Sequence, residues 1–211
     1  MVHPSPTCVC IRSNMLLSPD FGEALTFAAH LHSAQTRKGT QIPYISHLLC
    51  VAGLALEFGG TEDEAIAALL HDAVEDQGGQ LTLARIRRRF GPAVADVVES
   101  CSDADVQPRP AWRQRKEAYL AHIGHASGSA RLVGAADKLH NATAILRDYR
   151  RLREGLWERF NGGKDGTLWY YRSLVGAYKA AGPHPILDEL DRVVSELDAE
   201  VSGKASSAGE R

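Results

Sequence analysis

From residue 20 to about residue 200, apolar side chains recur three and four positions apart, and no stretch alternates long enough to suggest a strand. Asp20 is a candidate cap for a first helix that carries Phe21, Leu25, Ala28, Ala29 and His32 on one side. The stretch from Gly39 to Pro43 breaks that helix, and Pro43 suits the first turn of a second one running to about Phe58. Gly59-Gly60 ends the second helix, and Thr61 with Glu64 forms a capping box for a third. The third, AIAALLHDAVED, is apolar on most sides up to its charged end, which marks a central buried helix. Gly78-Gly79 closes it. The spacing predicts further helices over 82–90, 92–101, 111–126, 129–148, 150–160, 165–180 and 185–200. Between them lie a polar loop, SDADVQPRP, and a turn-rich break, NGGKDG. The expectation is an all-α, single-domain bundle over 18–200, with flexible tails at 1–17 and 201–211.

Composition narrows the class. The chain has 211 residues, with 24 Lys+Arg against 26 Asp+Glu, a near-neutral balance that argues against a nucleic-acid polymer as partner. That length buries a sizeable core without disulfides or a structural metal. No run approaches ~20 apolar residues, so no membrane span is expected, and the N-terminus lacks the pattern of a signal peptide. Met15 opens a helix-like stretch and is a second candidate start. The cysteines, Cys8, Cys10, Cys50 and Cys101, have no zinc-site spacing. Cys50 and Cys101 are expected as buried small hydrophobes in a reducing compartment, here the cytoplasm.

Nine histidines are a modest excess. His47, the pair His71-Asp72, and Asp137 are the informative set. Imidazole and carboxylate suit a divalent transition ion, and side chains from several helices converge inside bundles. Asp72 and Asp137 follow runs of Ala, Leu and Val, where a buried carboxylate needs a cation or several hydrogen bonds. Glu75 and Asp76 follow Asp72 and read either as a general acid/base pair or as a helix-end charge cluster. Asp137, His140 and Asn141 share a helix face, and Asn141 either orients a ligand or bonds between helices. Arg37 and Lys38 form a basic turn able to grip phosphate, with a solvated helix end as the alternative. The run Arg85 to Arg89 reads first as a surface face. The cluster LWYY reads first as core, with Tyr170 or Tyr171 as a pocket wall.

The order His47, His71-Asp72, Asp137 resembles the metal signature of the HD phosphohydrolase superfamily. The strings FAAHLHSAQTRKGTQIPYISHLLCVA, AALLHDAVED, RFGPAVADVV and AADKLHN are similar to the hydrolase domain of RelA/SpoT-type alarmone enzymes, especially the small stand-alone forms of the metazoan SpoT-homologue kind. The resemblance covers about residues 20–180. It implies an HD-type helical bundle and one Mn²⁺ held by His47, His71, Asp72 and Asp137. It implies (p)ppGpp as substrate, with the 3′-pyrophosphate removed to leave GDP or GTP. Glu75 and Asp76 would activate the attacking water, Arg37 and Lys38 would contact the nucleotide, and Asn141 would lie near its ribose or base. The residues outside the match are too few for a synthetase domain, and a homodimer is left open.

The chain departs from the family pattern in places. Leu48 stands where Pro commonly follows the first ligand, and Gln77 where Thr follows the acidic pair. SCSDADVQPRPAWRQRKEAY and NGGKDGTLWYYRSL replace the usual wall segments, with Lys164 and Arg172 as the nearby basic residues of the latter. Two alternatives therefore stand beside the leading reading. One is an HD phosphohydrolase for another phosphorylated nucleotide. The other is a non-catalytic nucleotide or metal sensor, with Arg85–Arg89 and residues 112–116 as partner surfaces.

Overall fold

The computed structural model describes residues 17–102 and 110–203. Most of both expected tails, and most of the 102–110 loop, lie outside these residues. Among the described residues the chain is helical throughout, with one isolated β-bridge between Thr36 and Pro43. The elements are α1 (Pro19–Leu31), α2 (Ile45–Glu57), α3 (Glu62–Leu70), α4 (Ala73–Asp76), α5 (Gly79–Cys101), α6 (Trp112–Ile123), α7 (Gly128–Leu152), a 3₁₀ segment (Arg153–Arg159), α8 (Gly163–Ala181) and α9 (Pro185–Val201). The all-α expectation holds.

Local chemistry explains most boundaries. Ser18, not Asp20, caps α1: its hydroxyl accepts the Asp20 N–H at 3.2 Å. Pro19 then fills the first helical position, where a missing N–H costs nothing. The Thr61–Glu64 capping box is present in both directions. Gly91 (φ 86°) is non-helical and interrupts α5, so the helices predicted over 82–90 and 92–101 are present as two stretches that meet at a kink. α7 runs on to Leu152, and the helix expected over 150–160 is instead the 3₁₀ segment.

α3 is the centre. Ala65 to Leu70 are all buried, and α1, α2, α5 and α7 pack around it. The apolar pattern predicts one helix through to Asp76. The structure breaks it at His71-Asp72, where His71 Nδ1 donates to the Ala68 carbonyl at 2.8 Å. An unbroken helix would give that carbonyl to the Asp72 N–H. The break re-aims both side chains. α9 lays an apolar stripe, Ile186, Leu190, Val193, Val194 and Leu197, against α7 and α8. α6 and α8 pack through Trp112, whose ring lies where a side chain on Gly162 or Gly166 would stand. The glycines of NGGKDG thus make room for an indole. None of the helices among the described residues is long and apolar enough to cross a membrane.

Candidate active site

Three elements bring the expected ligands together. α2 carries His47 in its first turn, the α3–α4 break carries His71 and Asp72, and α7 carries Asp137. His47 Nε2 lies 3.2 Å from Asp137 Oδ1 and 3.5 Å from Asp72 Oδ2. His71 Nε2 lies 3.0 Å from Asp72 Oδ2 and 3.7 Å from Asp137 Oδ1. His47, His71 and Asp137 are buried, and one ligand atom of each lies within 4.8 Å of the others. Asp72 sits at the open edge, with its side chain 23% exposed.

The ring orientations suit an ion. His71 donates from Nδ1 to a carbonyl, which aims Nε2 at the carboxylates. His47 Nδ1 lies 2.7 Å from His140 Nδ1. Burial, then the His47 and Arg37 charges, pushes the His140 pKa down to about 4, so His140 is neutral at pH 7 and a single ring N–H joins the two Nδ1 atoms. Both Nε2 atoms are buried without a hydrogen-bond partner. A cation between them and the two carboxylates would satisfy all four groups. The electrostatics express the same demand for positive charge. Burial opposes ionisation of Asp72 and Asp137, yet His71 holds the first carboxyl, and Lys138 the second, well below the carboxylate range. Burial likewise opposes a charged His71, but Asp72 and Asp137 outweigh it and hold the ring well above its ordinary value.

Side chains with no assigned role at the sequence level surround this centre. The Tyr44 hydroxyl donates to Asp72 Oδ2 at 2.6 Å. His32 stacks on Tyr44, with ring centroids 5.2 Å apart, and its Nδ1 lies 2.7 Å from Gln35 Oε1. Gln35 Nε2 donates to Asp76 Oδ2 at 2.8 Å, and Gln77 Nε2 donates to Gln35 Oε1. Lys138 touches Asp137 and lies over the Tyr119 ring. His32 and His140 are therefore part of the site. Their one signal in the sequence was position, beside QTRK and inside ADKLHN.

A cavity of about 870 Å³ adjoins the cluster: Tyr44, Lys138, His140 and Asn141 line it and contact His47, Asp72 and Asp137, while the four ligands do not themselves line it. Arg37 and Lys38 both line it but point different ways. Arg37 Nη2 donates to Asn141 Oδ1 at 2.5 Å, and Asn141 Nδ2 donates to Asp137 Oδ1. Lys38 Nζ reaches Asn161 Oδ1 at 3.3 Å. Tyr170 is buried, lines the cavity and has no partner for its hydroxyl. Glu75 and Asp76 are exposed on α4 and do not line the cavity, although the Asp76 charge reaches Tyr44.

Two expectations change. Cys50 is exposed on the cavity wall and Cys101 is half-buried, neither fully buried as expected; Cys50 lies off the α2 face that buries His47, Leu48, Val51 and Ala55. Trp112 packs inward on α8 and lines the cavity, so it is not a free partner surface. The Arg85–Arg89 run is a surface face, as first read: Arg85 and Arg89 lie over Phe27, and Arg87 pairs with Asp96 at 2.7 Å.

Comparison with known proteins agrees with this geometry. Residues 24–167 match the HD domain family. A Xenopus tropicalis protein named guanosine-3′,5′-bis(diphosphate) 3′-pyrophosphohydrolase MESH1 is 41% identical over 138 residues, covering 64% of this chain and 72% of that one. The Homo sapiens protein of the same name is 38% identical over the same length, with the same shares of both chains. A solved structure of a metazoan SpoT ortholog, described as hydrolysing ppGpp with a role in starvation responses, superposes with a TM-score of 0.70 at 24% identity. That likeness covers 87% of this chain and 98% of the other, and it shows the fold. With two buried histidines and two aspartates converging from α2, the α3–α4 break and α7, in a chain matched over 24–167, the protein belongs to the HD domain family.

Proposed function

We propose that this chain is a metal-dependent phosphohydrolase that removes the 3′-pyrophosphate of guanosine 3′,5′-bis(diphosphate), releasing pyrophosphate and GDP, or GTP from the pentaphosphate. The carrying observation is the convergence of His47 Nε2, His71 Nε2 and the Asp72 and Asp137 oxygens behind the wall of a basic, partly aromatic cavity, whose lining residues Tyr44, Lys138, His140 and Asn141 contact His47, Asp72 and Asp137. The names of the MESH1 relatives support the substrate.

His47, His71, Asp72 and Asp137 would hold a divalent ion, taken as Mn²⁺, which supplies Lewis acidity toward water and phosphoryl oxygen when bound. Glu75 and Asp76 take the proton of the attacking water. The water oxygen bonds to the phosphorus carried on O3′, the P–O3′ bond breaks, and O3′ leaves and takes up a proton. Arg37 and Lys138 neutralise the departing pyrophosphate, with Arg37 steadied by Asn141. Lys38 and Tyr170 wall the nucleotide. The same proposal takes a small nucleotide rather than a polymer as partner, a cytoplasmic location, and a homodimer as an open assembly.

The test is turnover of guanosine 3′,5′-bis(diphosphate) with Mn²⁺, with products identified by chromatography beside a panel of other phosphorylated nucleotides. Pyrophosphate and GDP are expected, and Asp72→Ala should abolish both. Activity persisting in that variant, or preference for another member of the panel, overturns the proposal.

A further inference from the structure

α7 runs along the cavity and divides its wall into chemically distinct stretches. Lys138 and Asn141 mark the inner end, and both touch the Asp137 carboxylate behind the wall. Ala144 and Ile145 follow along the helix and line the cavity. One and two turns further on, Arg147 and Arg151 also line the cavity. Ten residues separate Asp137 from Arg147 and fourteen separate it from Arg151. At 1.5 Å per residue these positions lie about 15 Å and about 21 Å along the helix. Arg159, from the 3₁₀ segment, joins them: its Nη1 lies 3.3 Å from Asp148 Oδ2, while Arg147 Nε lies 3.6 Å from Asp148 Oδ1. One carboxylate thus ties two guanidiniums together. Asp148 is the only acidic side chain among the described residues of the wall, against seven lysines and arginines. The outer end is net positive and far from the metal ligands.

We infer that Arg147, Arg151 and Arg159 form a second anion subsite, which holds the phosphates that the reaction leaves in place. This rests on the proposed function for which end is cleaved. A planar guanidinium grips phosphate with two parallel hydrogen bonds, and a concave wall of one sign focuses the attraction. The site therefore selects a nucleoside phosphorylated at two separated positions. The stretch at Ala144 and Ile145, which shares the cavity wall with Tyr170, takes the part of the molecule between them.

The test is calorimetric binding of GDP, the product carrying only the retained phosphates, with guanosine as the uncharged control. Arg147→Gln, Arg151→Gln and Arg159→Gln should each weaken GDP about 10-fold and leave guanosine unchanged. Arg151 is exposed, so its variant controls for misfolding. In turnover, the same variants should raise KM for the bis(diphosphate) with kcat unchanged, and should treat a nucleoside 3′-diphosphate as the wild type does. GDP binding that ignores the substitutions, or that is absent from the wild type, overturns the inference even if hydrolysis is confirmed. Arginine-dependent GDP binding without hydrolysis sustains the subsite and removes the catalytic reading.

Discussion

The Arg37 guanidinium donates to the Asn141 side-chain carbonyl at 2.5 Å across 104 positions of sequence, and the Asn141 amide donates onward to Asp137. The basic turn is thereby wired to a metal-ligand carboxylate. Removing either partner should lower kcat/KM by about 10- to 100-fold, the scale of a hydrogen bond to a charged group. Because the two act through one bond, Arg37→Ala and Asn141→Ala should be non-additive by about 1 kcal/mol in a double-mutant cycle. Strict additivity would show that the contact carries nothing.

Tyr44 holds Asp72 in place through its hydroxyl. Tyr44→Phe should leave the metal-free fold intact and weaken metal affinity by roughly 10- to 100-fold, read by competition with a chelator. With ion at 100 times its dissociation constant, binding stabilises the native state by about 2.7 kcal/mol. Chelation should therefore lower the wild-type Tm by roughly 5–10 °C for a domain of this size. Asp72→Ala should melt at the same temperature with and without chelator. An unchanged wild-type Tm would count against the site.

A Cβ on Gly162 would stand 2.6 Å from the Trp112 ring, where no real Cβ sits. Its φ of −86° is ordinary, so the obstacle is space and not backbone strain. Gly162→Ala should cost about 1–3 kcal/mol in urea unfolding. Trp112→Phe in the same background should recover part of that loss. An unshifted midpoint would mean that the indole moves freely.

Burial pushes the Cys101 thiol from 9.0 up to about 12. A raised thiol pKa means that folding favours the neutral form. Its contribution is full below pH 9 and disappears as pH rises toward 12, because the unfolded chain ionises first. Cys101→Ala should flatten the fall of stability across that window. Residue-resolved alkylation at pH 8 should label exposed Cys50 and spare Cys101. Bound nucleotide should protect Cys50, which lines the cavity. Labelling of half-buried Cys101 at the same rate as Cys50 would contradict its raised thiol pKa.

The sequence by itself determined the helices, the Thr61–Glu64 cap, the four metal-ligand candidates and the basic turn. Each of these is written in local spacing: apolar period, capping chemistry, or a short string such as HDAVED. It did not show that α3 breaks at His71-Asp72, because the competing bond from His71 to the Ala68 carbonyl depends on where the ring points. Nor did it show Tyr44, His32 and Gln35 closing around the aspartates, since those contacts join α1, α2 and α4. Only the tertiary structure sent Arg37 toward Asn141 and Lys38 toward Asn161, exposed Cys50 and turned Trp112 inward. Periodicity reports which face of a helix is apolar. Which partner a polar side chain meets is settled by neighbours a hundred residues away, because buried donors and acceptors must find one another in space.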